Sequence, residues 1–319
     1  MRRKFWKAGI AALSALLLAG ALGVASVASA GDTYGFGVSK PGGAWYPIGA
    51  LVSRLAEKLY GDKVTLVIGG GASNALQANK GELQFGLTYT ATVYDASLAR
   101  PPFKEKAENL RLAVVQYGQV TNWTVFRDSG IKTWRDLKGK RVNVMPRGFS
   151  QQFFNAQILQ ALGMSYKDFS KVTYLGLNDA VSQMKDGHLD AILMPGEEGY
   201  APIVQLKIHK PIRILSFTQD EVQRIRKVQP AALPRVVKKE AFDLEGDVNT
   251  LESYQIVVTN KNVPEALVYK MAKLVYGNLG EFVKINASFK RVDPKTAAQD
   301  MGIPRHPGLT RYLKEIGAL

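Results

Sequence analysis

Residues 34–60 read Tyr34-Gly35-Phe36-Gly37-Val38-Ser39-Lys40-Pro41-Gly42-Gly43-Ala44-Trp45-Tyr46-Pro47-Ile48-Gly49-Ala50-Leu51-Val52-Ser53-Arg54-Leu55-Ala56-Glu57-Lys58-Leu59-Tyr60. Residues 34–38 make a short strand pattern, and Leu51, Val52, Leu55, Ala56 and Leu59 recur at helical spacing over 48–60. A Pro-Gly-Gly turn joins the two, so the stretch is a βα unit. The same rhythm continues outward. Strands are expected at 64–68, 84–87, 110–117, 123–126, 141–145, 171–175 and 191–194, with helices at 73–80, 92–98, 151–162 and 178–185. Ser73 or Asn74 is a candidate cap for the second helix. Strands separated by helices on this rhythm predict an α/β fold with mostly parallel sheets and flanking helices.

In open parallel sheets, ligands sit at the carboxyl ends of strands, where helix starts present unpaired N–H groups and the positive end of the helix dipole. Two segments fit that geometry. Gly42, Gly43, Ala44, Trp45 and Tyr46 follow the first strand; Trp45 and Tyr46 offer a stacking face and a hydroxyl, unless Trp45 is core. Pro146-Arg147-Gly148-Phe149-Ser150-Gln151 repeats the pattern in the second half. A carboxylate there would meet free N–H groups, the Ser150 hydroxyl and a charge-assisted bond from Arg147.

The chain opens Met1-Arg2-Arg3-Lys4-Phe5-Trp6-Lys7, continues through an apolar 8–28, and reaches Ala28-Ser29-Ala30 before Gly31. That order of basic, apolar and small-residue regions is a secretory signal peptide over 1–30, cleaved after Ala30. An uncleaved anchor is the competing reading, and the paired arginines leave the twin-arginine route open beside the general one. Export places the protein in the periplasm or another extracytoplasmic space. Removing the four cations of 1–30 lowers the formal net charge from +15 to +11 and leaves 289 of 319 residues, enough for two lobes. The cations are scattered, and the cluster Arg213, Arg224, Arg226, Lys227, Arg235, Lys238, Lys239 lacks interleaved aromatics, which argues for a solvated face and against nucleic acid. There is no cysteine, so no disulfide, thiol nucleophile or lipid-anchored cysteine is possible.

Enzyme chemistry finds little support. His188, His209 and His306 are the three histidines, and none has metal-ligand spacing. Gly148-Phe149-Ser150-Gln151-Gln152 starts like a nucleophile elbow but lacks its last glycine. Gly69-Gly70-Gly71 lacks the Lys-Ser/Thr of a phosphate loop and reads as a tight turn. No enzyme activity, metal or cofactor is expected.

Several stretches carry a resemblance. Residues 38–59, Gly69-Gly70-Gly71-Ala72-Ser73-Asn74 and Gly81-Glu82-Leu83-Gln84-Phe85-Gly86 resemble the opening of TAXI-type solute receptors, the TRAP-associated extracytoplasmic binding proteins. Residues 131–142 and Lys185-Asp186-Gly187-His188-Leu189-Asp190-Ala191 resemble the wider periplasmic-binding superfamily, while 263–270, Asn278-Leu279 and Ile303-Pro304-Arg305-His306-Pro307-Gly308 resemble the TAXI ending. The resemblance implies a type II two-lobed clamshell with two hinge crossings, for which 123–126 and 254–258 are the candidates. Lobe one would be 31–121 plus 220–319 and lobe two 122–219. It implies a cleft lined by Gly42, Gly43, Ala44 and Tyr46; Asn74; Thr88, Tyr89 and Thr90; and Gly148, Phe149, Ser150 and Gln151.

The implied function is capture of a small organic acid, a dicarboxylate or an amino acid such as glutamate, for an ion-gradient-driven TRAP-type permease, by a monomeric receptor. A binding protein of an ATP-driven importer, or a sensor-presenting receptor, is the alternative. Arg147 and Phe149 depart from the small residues common there. Glu197 and Glu198 stand where apolar or small residues are usual; Glu197 is either a ligand contact or solvated.

Overall fold

The structure, a computed structural model, describes residues 31–195 and 200–319. The expected signal segment, its cleavage after Ala30, and Glu197 and Glu198 lie outside the described residues. No helix among the described residues is long and apolar enough to cross a membrane.

The first half runs β1 (Thr33–Val38), α1 (Trp45–Tyr60), β2 (Lys63–Ile68), α2 (Gly71–Lys80), β3 (Phe85–Tyr89) and α3 (Thr90–Ser97). Helix α1 forms where the spacing predicts: Ile48, Leu51, Val52, Leu55 and Ala56 are all buried against the sheet. It begins three residues earlier than expected, because Trp45 is also buried on that face. It stops at Gly61, whose N–H returns to Glu57 O (2.9 Å) while Asp62 N–H reaches Ala56 O (3.3 Å).

The chain continues through β4 (Leu110–Phe126), β5 (Arg141–Asn143), α4 (Ser150–Ala161), β6 (Lys171–Thr173), α5 (Leu177–Lys185), β7 (Ala191–Pro195), α6 (Ala201–His209), β8 (Ile212–Ile214), α7 (Gln219–Val228), β9 (Leu233–Val237), β10 (Val248–Asn260), α8 (Glu265–Gly277), α9 (Leu279–Ile285) and α10 (Pro307–Glu315). The strand order is β2-β1-β3-β10-β4-β7-β5-β6, with β8 beside β4 and β9 beside β10. Within each half the strands joined through helices pair in parallel, β1 with β2 and β3, and β5 with β6 and β7. The long strands β4 and β10 pair antiparallel with each other and with their other partners, so the whole sheet is mixed rather than mostly parallel. Asp190, read from its motif before β7, accepts from Arg141 at N–H (2.8 Å), Nε (3.1 Å) and a terminal guanidinium nitrogen (2.6 Å), tying β7 to β5.

Residues 110–126 look like two runs in the sequence but form one 17-residue strand. Gly118, Gln119, Thr121 and Asn122 interrupt the apolar pattern without breaking the backbone ladder. The change of partner falls there: β4 pairs β10 up to Val120 and β7 from Thr121, while β10 pairs β9 up to Glu252 and β3 from Gln255. The crossings are therefore 118–121 and 252–254, and the expected runs 123–126 and 254–258 are the arms beyond them. Two register shifts in the β4–β10 ladder increase the local twist near this point. Glu252 lies against Gly118, where a Cβ would overlap its carboxyl group. Burial raises the Glu252 carboxyl above the usual range, opposed by Arg235 and Arg291.

The apolar residues separate accordingly. One cluster surrounds β1, β3, α1, α8 and α10. Two more cover opposite faces of the second half: Ala191 and Leu193 of β7 enter one, and Ile192 and Met194 the other, as strand alternation requires. The side chains of 219–251, expected to return to the first lobe at 220, join these second-half clusters: Val222, Ile225, Ala232 and Leu251 in one, Val237, Phe242 and Val248 in the other.

Candidate functional site

The sheet topology aims several helix starts at the gap between the halves. Helix α2 begins at Gly71, immediately past the end of β2, and α4 begins at Ser150, past the end of β5. Approach to α4 goes through Met145, a non-glycine residue at φ +73°, and Gly148 at φ +83°. The left-handed conformation at Met145 costs about 1–2 kcal/mol, and it turns the chain sharply so that Ser150 faces the first half.

The two helix starts meet. A Cβ placed on Gly71 would overlap Ser150 Oγ and stand 3.3 Å from both Thr88 Oγ1 and Trp45 Cη2. Ser150 is 7% exposed, and its Oγ has no hydrogen-bond partner among the described residues. Thr88 Oγ1 is committed, donating to Gly71 O (2.8 Å). Gly70 N–H donates to Ser73 Oγ (2.8 Å), so Ser73 braces the α2 start, while Asn74 turns inward and donates Nδ2 to Leu87 O (2.9 Å). The first N–H groups of each helix have no intrahelical partner, and each start carries roughly half a positive charge.

Beside this junction lies a narrow cavity of about 240 Å³, mouth included, lined by Tyr89, Ala91, Thr92, Gln119, Thr121, Ser150, Gln151, Phe154 and Ser253. Its position between β3, the crossing strands and α4 makes it an interlobe cleft. None of these lining residues is charged. Tyr89 OH donates to Gln119 Oε1, and Gln151 Nε2 donates to Tyr89 OH (3.0 Å) and Gln119 Oε1 (3.2 Å). Ser253 Oγ accepts from Ala91 N–H (3.0 Å) at the start of α3 and lies 3.1 Å from Thr90 Oγ1.

Of the residues expected from sequence, Tyr89, Ser150 and Gln151 line the cavity, Thr88 and Asn74 support the α2 start, and Thr90 contacts Ser253. Gly42, Ala44, Gly148 and Phe149 are exposed, and Gly43 and Tyr46 are half-buried outside the lining. Arg147 lies with its guanidinium carbon 3.8 Å from the centroid of the Tyr174 ring, a cation–π contact within the second half. The aromatic at the junction is Trp45 rather than Tyr46, and the facing helix start is α2 rather than α1. Gly71, Gln119, Thr121 and Ser253 were missed. The signal for the last three was present: polar residues inside strands otherwise buried on both faces.

Trp45 is held from below. Its Nε1–H donates to Gln255 Oε1 (2.8 Å), which also accepts from Tyr117 OH (3.1 Å), and its ring stands 5.2 Å from Tyr89. Trp45→Phe removes this hydrogen bond and leaves a void where the larger indole was buried, and is expected to cost about 2–3 kcal/mol of stability in urea unfolding.

No group of three or more metal-ligating side chains occurs among the described residues. His188 is exposed in a turn, His209 stands against Phe126, and His306 caps α10 by accepting from Gly308 N–H (3.2 Å). None of the three lines the cavity.

A model of the NMT1-like family matches residues 36–317. The chain belongs to the NMT1-like family. Among solved structures it is similar to one described as a periplasmic transporter, at TM-score 0.51 and 13% identity, over 90% of this chain and 93% of that one. It is also similar to a TctC solute binding protein from Polaromonas, at TM-score 0.50 and 14% identity, over 90% and 99%. A further match is the periplasmic aliphatic sulphonate binding protein SsuA from Escherichia coli, at TM-score 0.44 and 20% identity, over 89% and 83%. The first two share the α/β two-lobed architecture.

Proposed function

We propose that this NMT1-like protein is an exported solute-binding receptor that takes a small organic acid into the cleft and delivers it to a membrane transporter. The observation that carries the reading is the meeting of the α2 and α4 starts at Gly71 and Ser150, with the buried Ser150 hydroxyl unpartnered among the described residues. Backbone N–H groups and helix dipoles from both halves converge there, which suits a carboxylate. A ligand touching both halves favours the closed arrangement by its differential affinity for it. On this reading lobe one is 31–118 with 255–319, and lobe two is 121–252. The likeness in fold to a periplasmic transporter and to a TctC solute binding protein supports it. The TAXI-like carboxyl-terminal motifs support a TRAP-type permease as the partner.

Isothermal titration against a carboxylate panel tests the reading. Saturable binding of an acid is expected, weakened about tenfold in Ser150→Ala through loss of one hydroxyl contact to a charged group. Binding confined to neutral sugars or cations would overturn it.

A further inference from the structure

The cleft holds a second built feature, one residue from the proposed acid seat. Tyr89 comes from the end of β3, Gln119 from the crossing segment of β4, and Gln151 from the first turn of α4. Their side chains close a hydrogen-bonded triangle across the cavity. Gln119 Oε1 accepts twice within it, so the Gln119 amide N–H groups and Gln151 Oε1 remain without partners among the described residues. A donor and an acceptor are thus presented together by neutral groups.

We propose that Gln119 selects the ligand. With Tyr89 and Gln151 it forms a neutral donor–acceptor seat for a hydroxyl, oxo or amide substituent, and it disfavours a second carboxylate. The inference rests on the reading that an acid group sits at Ser150. Ser150 and Gln151 are consecutive, with Cα atoms about 3.8 Å apart, so the substituent belongs on the second or third carbon of the acid. A hydroxyl there both donates and accepts, which matches Gln151 Oε1 and the Gln119 amide. A second carboxylate can only accept, and it would lie in a narrow space whose described lining offers no cation.

Titration of the purified exported form with butanoate, 2-hydroxybutanoate and 2-hydroxybutanedioate separates the possibilities. The parent protein is expected to bind 2-hydroxybutanoate about tenfold tighter than either of the others, the effect of one satisfied polar contact in a buried site. Gln119→Leu should bring the 2-hydroxybutanoate to butanoate ratio to about one. Gln119→Lys should turn the preference toward the dicarboxylate, a gain that a misfolded chain does not produce. An unchanged ratio in Gln119→Leu, or a parent protein that binds the dicarboxylate tightest, overturns the proposal while leaving an acid receptor. Absence of binding to all three acids overturns the acid reading and this inference with it.

Discussion

Gly71→Val is expected to weaken acid binding about a hundredfold while the melting temperature stays within a few degrees of the parent protein. Gly71 is the first residue of α2 and needs no left-handed backbone, so a side chain there is tolerated by the helix itself. The obstruction is across the cleft. A single Cβ overlaps Ser150 Oγ, and the two further carbons of valine press on Thr88 and Trp45, each already 3.3 Å from that Cβ. Ser150 can swing aside only by withdrawing its hydroxyl from the gap, and the halves can relieve the rest only by moving apart. Overpacking of this kind costs about 3 kcal/mol, which is the stated hundredfold. Titration calorimetry reads the affinity, and small-angle scattering should show an expanded particle that ligand no longer compacts. Retention of parental affinity would show that the α2 start is not part of the ligand seat.

Asp95→Asn should stabilise the protein at neutral pH and have no such effect in acid. Asp95 is 3% exposed on α3 and accepts from Gln229 Nε2 (3.1 Å), which in turn donates to Gln157 Oε1 (2.8 Å) on α4. Gln229 follows α7 and is itself fully buried. Its charged partner among the described residues is Arg100, 3.7 Å away, which also donates to Val228 O (2.7 Å). Burial pushes the Asp95 carboxyl up from 3.8 to about 6, against the lowering pull of Gln157, Arg100 and Gln229. A carboxyl raised in the folded state favours the protonated form. Its contribution is therefore full below the unfolded value near 4, and is lost as pH climbs through about 6. At 1.36 kcal/mol per unit the loss reaches about 3 kcal/mol.

Asparagine keeps an acceptor for Gln229 and carries no charge. The variant-minus-parent difference in melting temperature should thus be near zero at pH 4 and rise to roughly 5 °C at pH 7.5. A flat difference across that range would mean that Asp95 does not titrate there. Because Asp95 lies in the first half and Gln157 and Gln229 in the second, the proposed opening of the cleft would hydrate the carboxyl. Protonation should then favour the closed arrangement, read as a smaller scattering radius of the unliganded protein at pH 5 than at pH 7.5.

The βα units were legible in the sequence because each is a local matter. Periodicity placed α1, α2 and α4 within a few residues, and the glycine turn before Ser150 pointed to a helix start in a cleft. What escaped the sequence depends on contacts between distant segments. Continuity of β4 through Gly118 and Gln119 is invisible to a pattern rule, since some polar atoms there find partners only on distant strands: Thr250 Oγ1 of β10 donates to Asn122 Oδ1 (2.8 Å). Gly69-Gly70-Gly71 read as a simple turn because nothing local reveals that Ser150, nearly eighty residues on, needs the space above Gly71. Residues 220–251 read as a return to the first half, yet Val222, Ile225 and Leu251 find their apolar neighbours in the second.

Two unbroken strands pass from one half of the molecule to the other, and both change partners within three or four residues. Any relative rotation must be absorbed in those short segments, where the Glu252 carboxyl already fills the room beside Gly118. On the proposed receptor reading the pivot axis is thus written into the backbone, so that cargo of a different size would alter how far the leaves travel but not the line about which they swing.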